Sequence, residues 1–201
     1  MELVSFLNEE EWSDHPRCVQ PVLAAAARAV NDRISDAGRQ YLVDLAPRLA
    51  GTAGADWLAG ARIVELCTEA ALTQATSPAT SPATSPETTL RMPPEVWQEL
   101  TAARRTARYL LARGSAAGRV RCPWQVRAAI WLLDRVGLLK RVYPYDAALQ
   151  VAFAIAQVSF TPEAERRLLA LLDACIDACP EIRPGAPPGP NRGRARSPGS
   201  G

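Results

Sequence analysis

Two residue types are almost missing from this 201-residue chain: there is one lysine, Lys140, and one histidine, His15. A single imidazole excludes multi-histidine metal sites and confines imidazole acid–base chemistry to one position. No run shows sustained alternation of apolar and polar residues, so no half-buried sheet is expected. No apolar run reaches the length of a bilayer crossing; the most apolar, 147–160, is short and broken by Gln150 and Gln157. The first ten residues lack the basic start and apolar stretch of a secretory signal. Five cysteines, an odd number, show no framework spacing. These absences predict a cytoplasmic protein with reduced thiols and no membrane segment. No grouping of nucleophile, base and oxyanion donor stands out, so no catalytic residue, metal or cofactor is expected.

What is present is helical. With 48% apolar residues the chain has enough material for a core. A low-complexity seam at 75–89 repeats Thr-Ser-Pro three times and holds no large apolar side chain. Its prolines remove backbone donors and favour an extended, solvated path. The seam predicts four segments: an N-terminal helical block (1–74), a surface loop (75–92), a C-terminal helical block (93–180) sharing one core with the first, and a disordered basic tail (181–201). Periodicity predicts an all-α fold, an irregular bundle of about seven helices near 16–30, 35–49, 56–73, 93–113, 124–139, 146–160 and 163–179. Pro47 is expected to kink or break the second helix. Tyr143-Pro144-Tyr145 is expected to separate the fifth from the sixth, which is placed at the centre of the core. Trp57, Trp97, Trp124 and Trp131 are read as core or intersubunit packing, and Trp12 as partly exposed.

A faint repeat points to a possible helical duplication. Arg17-Cys18, Val22, Ala24-Ala25, Tyr41 and Leu45 recur as Arg121-Cys122, Val126, Ala128-Ala129, Tyr145 and Leu149, at an offset of 104. Charge is also segregated. Residues 1–74 hold six Arg against eleven acids, a net of −5; residues 91–141 hold ten Arg and one Lys against three acids, a net of +8. Residues 142–181 return to −4, and 182–201 add four arginines. Complementary halves favour docking onto each other, with an acidic external partner as the alternative.

Three constellations carry candidate chemistry. His15 and Cys18, three apart, have the spacing of a thiolate–imidazole pair, but no oxyanion donor accompanies them, and a loop histidine beside a buried cysteine is the simpler reading. Cys175 and Cys179 share a helical face; zinc would need two more ligands, with only Cys122 and His15 to offer, so small buried side chains are expected. Asp14, His15, Asn31, Asp32, Asp36 and Arg39 form a polar cluster about one helix and its ends. It is either a ligand site or a capping network.

Two resemblances follow from particular residues. Leu133, Gly137, Leu138 and Arg141 match the Leu-x-x-x-Gly-Leu-x-x-Arg pattern that ends the recognition helix of winged-helix DNA-binding domains. That resemblance implies base contacts by Gln125 and Arg127 and phosphate contacts by Arg119, Arg121, Lys140 and Arg141. A core helix ended by glycine is the competing reading. The words Trp-Ser-Asp-His-Pro, Pro-Val-Leu-Ala, Val-Asn-Asp and Ser-Asp-Ala-Gly-Arg within 12–39 resemble the opening of uncharacterised helical proteins of actinobacteria. This implies a source and a cytoplasmic helical fold, and no activity. The leading functional expectation is a non-enzymatic helical interaction or regulatory module with a protein partner, self or other. A DNA-binding regulator using 119–141 and an enzyme with a small-molecule site near Asp14, His15 and Asn31 are the alternatives.

Overall fold

The computed structural model describes residues 2–7, 9, 16–76, 92–114, 123–159 and 163–179. Among them are eight helices and no strand: α1 (Glu2–Leu7), α2 (Pro21–Asn31), α3 (Asp36–Ala50), α4 (Trp57–Thr76), α5 (Pro94–Gly114), α6 (Trp124–Arg135), α7 (Leu139–Val158) and α8 (Ala164–Asp177). The fold is all-α, as periodicity predicts. Most of the seam, the tail and Trp12 lie outside the described residues.

The core is one cluster of buried apolar side chains contributed from both sides of the seam. Ile63, Val64, Cys67 and Ala71 of α4 meet Leu100, Ala107 and Leu110 of α5 and Val151, Ala154 and Ile155 of α7. α2 is buried along eight of its eleven residues and packs mainly on α7. Trp57 closes the near end, its ring edge-on to Tyr143 with centroids 5.9 Å apart. Ion pairs join the same elements. Arg104 reaches Glu69 at 2.6 Å, and Arg108 reaches Glu65 at 2.9 Å and Glu69 at 3.3 Å. Arg104 and Arg108 of α5 are thus both neutralised by α4. Such half-exposed pairs each add little stability, but they fix which faces meet.

Helix limits depart from the sequence expectation in several places: α1 has no counterpart among the seven expected helices, and α2 begins at Pro21 instead of near 16. α7 runs unbroken through Pro144: the ring forfeits the bond to the Lys140 carbonyl, and the buried Leu139, Tyr143, Ala147 and Val151 on either side hold the helix together. Pro47 likewise sits inside α3 without ending it. α6 stops at Arg135, short of Leu139. Gly137 takes a left-handed φ of +70°, and Leu138 N–H and Gly137 N–H bond back to the Leu133 and Asp134 carbonyls at 2.8 and 3.1 Å. This is the Schellman pattern, which glycine adopts without strain.

The repeat offset reappears in the helix limits. Shifted back by 104, α6 falls at 20–31, α7 at 35–54 and α8 at 60–73, beside α2, α3 and α4. The two units are packed differently. Ala24 and Ala27 of α2 are buried, while their counterparts on α6, Ala128 and Trp131, lie in solvent.

α8 fastens the first unit to the second. Ser35 caps α3, its Oγ accepting from Gly38 N–H at 3.2 Å, while Ser35 N–H and Oγ donate to the Glu165 carboxylate at 3.2 and 2.9 Å. A carboxylate there also faces the positive end of α3. Arg48 of α3 binds Asp173 and, at 2.6 Å, Asp177. Gly38 leaves room for Glu165: a Cβ would overlap its carboxylate, with Cδ 3.0 Å away. Gly38→Ala should therefore destabilise by about 1–2 kcal/mol through the displaced cap. In a Glu165→Ala background the same change should cost clearly less, since only Ile34 Cβ, 3.2 Å away, must then give way and alanine is the better helix former by about 0.5–1 kcal/mol. Urea melts of the four proteins give the cycle; additive effects would contradict this link.

Candidate interaction surface

α6 touches the core through one narrow face. Ile130 is buried and Val126 and Leu133 are half-buried, all within a sector of about 60°. Directly opposite stand Trp124, Ala128, Trp131 and Arg135, with the two indoles 72% and 61% exposed. Of the two readings expected for Trp124 and Trp131, core or intersubunit packing, their exposure overturns the first and leaves the second. Trp97 is also partly exposed, and Trp57 alone of the described four is firmly engaged. The physical reason is that α6 is apolar on both sides and only one side has a neighbour.

α7 repeats the situation. Leu139, Tyr143, Ala147, Val151, Ile155 and Val158 face inward and are buried. On the reverse, Leu138, Val142, Tyr145 and Leu149 remain exposed. Of twelve large apolar side chains exposed among the described residues, eight lie between 124 and 149, which makes this one continuous stretch of sequence the apolar part of the surface. Beside Leu149, a groove of about 490 Å³ opens between α5 and α7, lined by Leu100, Ala103, Thr106, Asp146 and Phe153.

The cations around this surface are not consumed by the fold. Arg127, Arg135, Lys140 and Arg141 are exposed, and no ion pair among the described residues includes them; Arg113 alone crosses to α6, at 2.9 Å from Asp134. Gln125 and Arg127, expected on one base-reading face, diverge by about 160° around α6. Between them lies the tryptophan stripe. Arg119 and Arg121 lie outside the described residues.

The chain matches no protein-family model, no curated protein and no solved structure. Geometry must therefore carry the functional argument.

The polar cluster resolves into helix ends. Arg39 bonds Asp36 at 2.9 Å and the Asn31 carbonyl at 3.4 Å, and Asp32 ends α2 with its N–H on the Arg28 carbonyl at 3.0 Å. These four join α2 to α3. Asp14 and His15 lie outside the described residues, as does Cys122.

The buried thiols form a different pair from the one that spacing suggested. Cys175 faces Cys67 across α4 and α8, sulfur to sulfur 3.8 Å, and both are fully buried. No group of three or more possible metal ligands occurs among the described residues. Contact with Cys67, then burial, pushes the Cys175 thiol well up; burial, then Cys175, pushes Cys179 up to about 11. Burial, then Asp146, raises the Tyr143 phenol as well. The native state thus holds protons that the unfolded chain releases above the ordinary thiol range, so unfolding becomes easier as pH rises. Between about pH 8 and about pH 10 the unfolding free energy should fall by on the order of 2 kcal/mol. Urea midpoints that stay level across that range would contradict burial of these groups.

Proposed function

We propose that this chain is a non-enzymatic helical interaction module whose contact surface is the outer side of α6 and α7. The observation that carries the reading is the concentration of exposed Trp, Tyr, Leu and Val at 124–149, ringed by arginines. Trp, Tyr and Arg are the residue types that dominate binding hot spots, and a patch of this kind on a monomer marks an interaction site. The reading is of a cytoplasmic protein with a protein partner. No helix among the described residues is long and apolar enough to cross a membrane.

A double variant tests it. Trp131→Asp with Tyr145→Asp should keep the unfolding free energy within about 0.5 kcal/mol per site, since both side chains already stand in water. The same variant should lose the complex that chemical cross-linking traps in cells producing the intact chain. A stability loss above about 2 kcal/mol, or an unchanged cross-linked product, would contradict the reading.

DNA binding is the second reading, favoured by Arg127, Arg135, Lys140 and Arg141, which join no ion pair among the described residues. It requires duplex binding that falls steeply as salt rises and weakens in Arg127→Ala/Lys140→Ala. The tryptophans at the centre of the α6 face favour the protein partner, because a groove is approached by polar and cationic side chains first. A small-molecule enzyme using Asp14, His15 and Asn31 would instead be revealed by a metabolite that raises the melting temperature of the wild type and not of His15→Ala.

A further inference from the structure

The outer side of α7 is more regular than an adventitious patch. Leu138, Val142, Tyr145 and Leu149 succeed one another at intervals of four, three and four residues, and they are 41%, 46%, 79% and 73% exposed. They fall within a sector of about 60°. Apolar residues spaced alternately by four and three form the seam of a two-stranded coiled coil, whose full repeat averages 3.5 residues. A short isolated helix would not sustain such a pairing, but α7 is already ordered by its buried face, so little conformational entropy remains to be lost.

Charge identifies the occupant. Arg141 borders the seam on one side and Asp146 on the other, and neither takes part in an ion pair among the described residues. They cannot satisfy each other within one helix, being about 140° apart around its axis. Asp146 is held in place by Gln150, whose Nε2 donates at 2.6 Å. With Val142 and Leu149 at the a positions and Leu138 and Tyr145 at d, Arg141 occupies g and Asp146 the following e. Those two positions face each other across a parallel seam. An anionic lipid surface or a wholly acidic partner would accept Arg141 and repel Asp146. A second copy, paired in parallel, satisfies both.

We propose that α7 is the seat of self-association: two copies pair in parallel through Leu138, Val142, Tyr145 and Leu149, with each Arg141 on Asp146 of the partner subunit. This rests on the reading of the α6–α7 face as an interaction surface and names its partner. The arrangement is isologous, so the charged pair forms twice, once on each flank of the seam.

Sedimentation velocity on the full chain over a range of concentrations is the test. The wild type should sediment as a dimer that dissociates on dilution. Arg141→Asp and Asp146→Arg should each weaken association roughly tenfold or more. The doubly exchanged protein, which restores opposite charges across the seam, should return to within a few-fold of wild type. Tyr145→Asp should sediment as a monomer with unchanged helical circular dichroism, which separates lost pairing from lost folding. A wild type that is monomeric at every concentration overturns the proposal. So do charge exchanges whose effects simply add, as an antiparallel or unrelated contact requires. A monomer that floats with phosphatidylserine vesicles would assign the seam to lipid instead. A monomeric chain whose Tyr145 still cross-links to another protein would end self-association while leaving the interaction module standing.

Discussion

Shortening Ile63 to alanine is expected to lower the unfolding free energy by about 3–4 kcal/mol, within the range for a fully buried aliphatic side chain. Ile63 is completely inaccessible on α4, the helix that contacts α5, α7, α8 and α2. Its neighbours cannot collapse into the space, because each is also held from another side. The loss should appear in one transition shared by circular dichroism and tryptophan fluorescence, although the tryptophans among the described residues sit on α4, α5 and α6 and Ile63 only on α4. Two separated transitions would mean that the blocks on either side of the seam unfold independently. A loss below about 1 kcal/mol would mean that Ile63 is not enclosed as described.

Gln20→Ala should be nearly as damaging, at about 2–3 kcal/mol, for polar reasons. Gln20 is 2% exposed and caps α2, its Oε1 accepting from Leu23 N–H at 2.8 Å. Its own N–H donates to Thr52 Oγ1 at 3.1 Å, and that hydroxyl donates to the Leu49 carbonyl at 2.7 Å. Ala53 N–H completes the tie by reaching the Cys18 carbonyl at 3.0 Å. The start of α2 is thus bound to the turn between α3 and α4, and a buried donor left without its acceptor costs its full desolvation. Thr52→Val keeps the shape and removes only the hydroxyl; it should cost about 1–3 kcal/mol by orphaning Gln20 N–H, while the Leu49 carbonyl keeps the Thr52 N–H at 3.2 Å. Gly60 lies against the same knot, where a Cβ would stand 3.0 Å from Val22 Cγ2 and 3.2 Å from Gln20 Nε2. Chemical denaturation of Gln20→Ala and Thr52→Val checks both; near-neutral results would show that the network is not buried.

Seven of the eight described helices, α2 to α8, were legible because their periodicity is strong and their ends carry Ser35 and proline signals. The inner faces of α2, α4 and α5 could be read in the same way. The outer side of α6 and α7 could not. A helix that is apolar on every face is usually buried all round, so the local pattern around Trp131 pointed to a buried helix. What decides between core and interface is how many neighbours the rest of the chain supplies, and that is a tertiary quantity. The interval of four, three and four at Leu138, Val142, Tyr145 and Leu149 was available as a signal, but Pro144 in its midst made a helix break the simpler reading. The Cys67–Cys175 contact and the Glu165 cap on α3 join residues more than a hundred positions apart. No local pattern encodes such pairs.

The most direct test of an interaction surface on α7 is a photo-crosslinking residue placed at Tyr145, in cells producing the intact chain. Tyr41 on α3 is the matched control, since it is 45% exposed and occupies the equivalent position 104 residues earlier. A defined protein adduct from position 145, one subunit in mass and absent from position 41, is the predicted result. Equal and diffuse labelling from the two positions, or none from 145, would contradict it.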